Sequence, residues 1–266
     1  MLSTKSVPSI SIITINRNTG DAVKGTITSI LNQHQSCEWI VVDGGSTDNS
    51  IGLLRAALRP GDRIISEPDR GISDAFNKGL ALATGEAVLF MNAGDTFAAP
   101  TALGELVKRW DQSHHRWITG TAEVLDASGK RLYQRQMQQP KDPFELLRSG
   151  CRIFHQATLT NRLMLLEAGG FDLSYRLAMD YDLWCRLMKH GFFPQVEPVL
   201  VCRYGGGGVS GDTMRCLAEQ RKARARNGIS NGWCYEAGLW LVAWVKSMLR
   251  RYAGQWAYRL KEWLRL

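Results

Sequence analysis

The chain has 266 residues, 44% of them hydrophobic and 22% charged, enough for one large core and incompatible with a disordered or low-complexity protein. Its net charge of +8 calls for an anionic partner, but no DNA- or RNA-reading motif accompanies the charge, so that partner is not expected to be nucleic acid. The 6 cysteines form no C-x-x-C pair and no zinc spacing, a usage that fits a reducing cytoplasm.

Residues 9–15 set Ile10, Ile12, Ile13 and Ile15 among serines and a threonine. The run is too short and mixed for the apolar core of a signal peptide and reads as a first strand. After the polar turn Asn16-Arg17-Asn18, residues 21–32 place Val23, Ile27, Ile30 and Leu31 at helical spacing. Residues 39–42 form a second strand ending in Asp43-Gly44-Gly45-Ser46, and Asp48 is placed to cap a helix running to residue 58. A short third strand at 63–65 leads to Glu67-Pro68-Asp69. A helix at 73–83 and a fourth strand at 87–91 follow, the latter ending in Asn92-Ala93-Gly94-Asp95. Strand and helix alternating in this way predict an α/β fold, a mostly parallel sheet flanked by helices.

The rhythm then changes. A helix at 100–110 precedes two strands, 117–125 and 130–136, joined by a turn at 126–129, which signals antiparallel structure. Phe154-His155-Gln156 leads into a strand at 157–160, and a short helix at 162–168 ends in Gly169-Gly170. A helix at 179–190 opens with Asp180-Tyr181-Asp182, a strand covers 194–203, and a basic helix covers 213–226.

In parallel sheets ligands sit beyond the carboxyl ends of the strands, which is where Asp43, Asp69 and Asp95 fall. For Asp43 alone, a turn aspartate capping the next helix is the better account; acids at three successive strand ends exceed what turns need. Asp95 is the candidate metal ligand, since a cation on a diphosphate needs only one or two protein carboxylates. Capping ahead of Pro100 is its alternative. Arg70 and Lys78 are candidate counter-charges for phosphate, or else solvated surface cations. Of Asp180 and Asp182, one is expected to face a cleft as a general base while the other serves the helix N-terminus. His155 and Gln156 are candidates for an acceptor site, against a core histidine bonded to a backbone carbonyl. Gly207, in the run Gly205 to Gly208, is a candidate loop over the site, against a plain turn.

The ordered set Ser11-Ile12-Ile13-Thr14, Ile40-Val41-Val42-Asp43-Gly44-Gly45-Ser46-Thr47-Asp48, Ser66-Glu67-Pro68-Asp69-Arg70-Gly71-Ile72, Asn77-Lys78-Gly79, Leu89-Phe90-Met91-Asn92-Ala93-Gly94-Asp95 and Met179-Asp180-Tyr181-Asp182-Leu183-Trp184 resembles the family 2 glycosyltransferases of GT-A fold. It is most similar to the bacterial exopolysaccharide branch of colanic-acid type. The resemblance spans residues 9–210. It implies an inverting transfer of a sugar from a nucleotide-diphosphate donor to an acceptor hydroxyl, with Mg²⁺ or Mn²⁺ as the divalent cation. Thr14, Asn16, Asp43 and Asp69 would then bind the nucleotide, with Lys78 beside them, Asp95 the metal, and Asp180 would be the base. Many relatives carry Asp-x-Asp at the fourth strand end; here one carboxylate, Asp95, remains. Residues 1–125 would form the nucleotide-sugar half and 126–211 the acceptor-binding and catalytic half of one domain. Two other functions are alternatives. A nucleotidyltransferase wants a glycine-rich loop after the first strand, where this chain has Thr14-Ile15-Asn16-Arg17. A non-catalytic nucleotide-binding protein docked on membranes would keep the pocket without the chemistry.

Residues 212–266 form a basic, tryptophan-rich appendage. Trp240, Trp244 and Met248 recur at four-residue spacing, and Trp256, Leu260 and Trp263 continue the stripe, with Lys246, Arg250, Arg251, Arg259, Lys261 and Arg265 around them. The apolar run at 239–245 is far short of the ~20 residues that span a bilayer. An amphipathic helix lying in the membrane interface is expected, at the cytoplasmic face of the inner membrane, with a lipid-linked saccharide as acceptor. Packing of these helices on the catalytic domain or on another subunit is the alternative.

Overall fold

A computed structural model describes residues 8–110, 117–126, 128–135, 138–148, 150–205, 213–229 and 231–253. Strands β1 (Ile10–Asn16), β2 (Glu38–Asp43), β3 (Arg63–Ser66) and β4 (Ala87–Phe90) alternate with helices α1 (Val23–Leu31), α2 (Ser50–Ala57) and α3 (Ile72–Leu82). The four strands pair in parallel in the order β3-β2-β1-β4. β1 and β4 are buried along nearly their whole length, as runs covered on both faces must be.

The period of two splits each strand between two cores. Ile13, Ile40, Val42, Val88 and Phe90 face α3, while Ile12, Trp39, Val41 and Leu89 face α1 and α2. Helix α3 lies so close to β1 that a Cβ on Gly79 would stand 2.3 Å from Ile13 Cγ2, which only glycine allows.

Beyond β4 the sheet becomes mixed. β5 (Thr96–Phe97), α4 (Ala102–Arg109), β6 (Trp117–Leu125), β7 (Arg131–Arg135), α5 (Glu145–Arg148), β8 (Thr158–Asn161), α6 (Arg162–Glu167), α7 (Met179–Lys189) and β9 (Gln195–Gly205) follow in order. β8 runs antiparallel between β4 and β6, β9 runs parallel to β6 past two register shifts, and β7 pairs with β6 at the margin. The strands after residue 117 therefore extend the same sheet as β1 to β4. Trp184 of α7 stacks on Trp117 of β6 with ring centroids 4.8 Å apart, which seats α7 against this second half.

Two helices close the described chain, α8 (Thr213–Arg226) and α9 (Trp233–Ala253). Arg224, only 1% exposed, donates to Glu236 Oε1 of α9 at 2.7 Å and to the Tyr181 hydroxyl of α7 at 3.0 Å. These bonds fasten both helices to α7. Among the described residues no helix is long and apolar enough to cross a membrane. Gly207, Trp256, Leu260, Trp263, Arg259, Lys261 and Arg265 lie outside the described residues.

Candidate active site

At the β1–β4 boundary the crossovers leave in opposite directions, which opens a crevice at the carboxyl ends of the strands. It holds about 730 Å³. At the strand ends it is walled by Asn16, Arg17, Asp69, Asn92 and Asp95; His155 links Asn92 to Asp180; residues 150–154 and 204–205 and helices α7, α8 and α9 complete the wall.

The Asn92 to Asp95 turn is pinned from below. Buried Thr26 of α1 donates to the Asp95 carbonyl at 2.7 Å and accepts from the Gly94 N–H at 2.8 Å, and Gly94 takes a φ of 99°. The Asp95 carboxylate accepts from Gln156 Nε2 at 2.9 Å. Burial lifts its pKa to about 6, against the opposing pull of that hydrogen bond. Asn92 Oδ1 nearby is buried with no hydrogen-bond partner.

A carboxylate short of compensation and an orphan amide oxygen are oxygen donors of the kind a hard divalent cation takes. Among the described residues no three His, Cys, Asp or Glu side chains converge as a closed metal cage. The residues present thus fit a cation held mainly by its substrate, with Asp95 as the protein's carboxylate.

His155, in the short 3₁₀ turn His155–Ala157, links this turn to α7. Its Nε2 lies 3.1 Å from Asn92 Nδ2 and its Nδ1 lies 3.3 Å from Asp180 Oδ2. An amide nitrogen only donates, so Nε2 accepts, the ring proton sits on Nδ1, and it faces Asp180. Asp180 Oδ1 accepts from the Tyr181 N–H at 2.7 Å.

Asp182 does not serve the helix N-terminus. It is 3% exposed, turned inward about 200° round the helix from Asp180, and pairs with Arg186 at 2.8 Å, because positions two apart on a helix point in different directions. The α7 N-terminus is served instead by Glu219 of α8. Its carboxylate accepts from the N–H groups of Arg176, Leu177 and Ala178 at 3.1, 2.8 and 2.9 Å.

The other expected positions fall in three places. Asn16 and Asp69 line the crevice with Asp95, His155, Gln156 and Asp180. Asp43 and Thr14 lie beneath it. The Thr14 hydroxyl accepts from Trp39 Nε1 at 2.9 Å inside the core. Asp43 is fully buried and accepts from Asn16 Nδ2 at 2.7 Å, Ser66 Oγ at 2.7 Å and the Ser46 N–H at 3.0 Å. Burial alone would raise its pKa; the hydrogen bonds from Ser46, Ser66 and Asn16 outweigh that and hold it below the usual carboxylate value. Asp69 packs over Gly44, where a Cβ would stand 2.2 Å from its Oδ2. Lys78 is turned off the crevice wall and bonded to Glu67 at 2.7 Å and the Pro68 carbonyl at 3.0 Å.

Sequence reasoning passed over Asn92 as a functional side chain, Arg17 and Arg176 as cations of the crevice wall, and Glu219. Only Arg17 left a signal, standing one residue past the end of the first strand.

The model of glycosyl transferase family 2 matches residues 9–168. The chain is similar to an uncharacterized glycosyltransferase of Mycobacterium tuberculosis, 30% identical over 190 residues, covering 68% of this chain and 69% of the relative. A PGL/p-HBAD biosynthesis glycosyltransferase of Mycobacterium bovis is 30% identical over 220 residues, covering 74% and 73%. Among solved structures, the mannosyltransferase PcManGT of Pyrobaculum calidifontis, in complex with GDP-Man and Mn²⁺, superposes with a TM-score of 0.62 at 20% identity, covering 96% of this chain and 79% of that one. S. aureus TarS 1–349 in complex with UDP-GlcNAc gives 0.63 at 14% identity, covering 87% and 70%. At these identities the structures speak for a shared fold.

Proposed function

The chain belongs to glycosyl transferase family 2, has the GT-A fold and is a glycosyltransferase, and on that premise we propose an inverting transfer from a nucleotide-diphosphate sugar to a hydroxyl of a lipid-linked saccharide. The single observation that carries the reading is the run of side chains Asp95, Asn92, His155 and Asp180 along one crevice wall, with a carboxylate at each end.

Asp180 takes the proton of the acceptor hydroxyl. The freed oxygen bonds to the anomeric carbon from the face opposite the diphosphate, and the bond to the leaving oxygen breaks with its electron pair. His155, donating from Nδ1, holds the Asp180 carboxylate in position for that proton. Asp95, with Asn92 beside it, would hold Mg²⁺ or Mn²⁺. That cation, when bound, supplies the positive charge that neutralises the departing diphosphate. Both solved neighbours carry a nucleotide sugar, and one of them Mn²⁺, which supports a donor of this class. Asn16 and Asp69 face the nucleotide, with Arg17 as a counter-charge. Asp43 and Thr14 act from below, Asp43 by fixing the Asn16 amide, and Lys78 contributes through the Glu67-Pro68-Asp69 turn to which it is bonded. On this reading residues 1–125 hold the donor and 126–211 the acceptor.

The acceptor belongs, on the motif set, to bacterial exopolysaccharide assembly, and the enzyme works at the cytoplasmic face of the inner membrane. Support for peripheral attachment comes from α9, which leaves Trp233 at 83% and Leu241 at 61% exposure. The test of the reaction is Asp180→Asn, assayed for transfer and, separately, for donor binding. Transfer is expected to fall at least about a hundredfold, the scale of general-base loss, with donor affinity kept. Unchanged transfer would remove Asp180 from the base role.

A further inference from the structure

We propose that the end of the crevice walled by α8 and α9 is a subsite for the hydrocarbon portion of the acceptor. It rests on the reading of the crevice as a site of sugar transfer and names what the acceptor carries there.

Leu177, Met179, Leu217, Leu239, Val242 and Ala243 line this end. These six are apolar, in contrast with the carboxylates at the nucleotide end; Arg176, Cys216 and Gln220 line the same wall and give it a polar margin. Met179 directly precedes Asp180, so an apolar guest here is contiguous with the group that faces the acceptor hydroxyl. Among the described residues no charged side chain from α9 joins the wall.

Helix α9 has two apolar faces. Leu239, Val242 and Ala243, at spacings of three and four, turn into the crevice, whereas Leu241, Trp244 and Val245 turn outward and are 61%, 53% and 40% exposed. A helix apolar on one face packs against its own domain; one apolar on two faces has something apolar on each side. The inner side of α9 borders a cavity, so an apolar guest is what completes that packing. The wall is also fixed relative to Asp180: buried Arg224 ties Glu236 of α9 to Tyr181 of α7. Glu219 of α8 holds the backbone just ahead of Met179. Both wall helices lie past residue 168, where the family match ends.

The test titrates the full chain, without membranes or detergent, with methyl and n-hexyl β-glucoside below the micellar concentration of the latter. Each buried methylene is worth about 0.8 kcal/mol, or roughly a fourfold gain in affinity, so partial burial of the hexyl chain predicts at least about tenfold tighter binding than methyl. Val242→Asp is expected to erase the gain and Trp244→Asp, on the outer face, to leave it intact. Leu239→Asn, on the partly exposed inner face, gives the same reading as Val242→Asp if the latter fails to fold. Equal affinity for the two glucosides overturns the subsite, as does a gain that survives the inner-face change or vanishes with Trp244→Asp. Because the titration reads binding alone, its failure leaves sugar transfer standing, and failure of sugar transfer shows separately in turnover of a nucleotide-sugar donor.

Discussion

Asp43 shows how a carboxylate can matter to a crevice that it does not line. It sits below the wall, and its donors come from β1, from β3 and from the turn that follows β2. Removing its charge leaves those donors with a weaker acceptor, at a cost of about 1.5–3 kcal/mol for bonds to a charged group. Its folded pKa is held below the ordinary aspartate value, so its contribution is present above that ordinary value and is lost as the pH falls through the folded one. Chemical denaturation of wild type and Asp43→Asn should therefore differ at pH 7 and converge as the pH falls below the ordinary aspartate value. The aspartate was legible in the sequence as a strand end, but Ser66 arrives from another strand, and nothing local announced that pairing. His155 makes a second case. His155→Asn keeps a donor near the Nδ1 position, and His155→Phe keeps only the ring. We expect kcat to fall about tenfold or more in the Phe variant and to be largely restored in the Asn variant, with the donor KM unchanged in both. A loss confined to the Asn variant, with the Phe variant normal, would show that the ring serves packing against Phe76, whose centroid lies 5.4 Å away.

Among the elements, those that depend on local pattern were readable. β1 to β4 and α7 stand within a residue or two of where periodicity put them, because a buried strand or an amphipathic helix writes its own period into the chain. What could not be read was pairing across distance: β8 between β4 and β6, and β9 beside β6, join segments that have no mutual signature in sequence. The same holds for the α7 N-terminus. Asp180 meets the local rule for a helix start by accepting from the Tyr181 N–H, yet the backbone leading into the helix is held by Glu219, some forty residues on. Glu219→Gln weakens three charge-assisted bonds and frees the backbone that sets Asp180. Its expected signature is a stability loss of about 1 kcal/mol, the scale of a lost helix cap, together with a lower kcat and an unchanged donor KM. Thermal unfolding and initial-rate kinetics on the same preparation check both parts. A stability loss with normal kcat would make Glu219 a brace only.

At the scale of the whole molecule, a sheet that changes from parallel to mixed and a pair of added helices enclose one crevice with a polar and an apolar end. The net charge of +8 and the exposed outer side of α9 belong to the same surface argument. Sedimentation with vesicles rich in anionic lipid should show binding that weakens as salt rises, and Trp244→Asp should reduce it; binding indifferent to both would leave α9 as a packing element. The central claim is that the two ends of the Asp95–Asn92–His155–Asp180 run do separate work. The measurement that reaches it most directly pairs heat-unfolding with turnover for wild type, Asp95→Asn and Asp180→Asn, across a panel of nucleotide sugars with and without Mn²⁺. The account predicts that Asp180→Asn keeps the cation-dependent stabilisation by the donor and loses turnover, while Asp95→Asn loses both. Full turnover in Asp180→Asn, or undiminished cation-dependent stabilisation in Asp95→Asn, would contradict it.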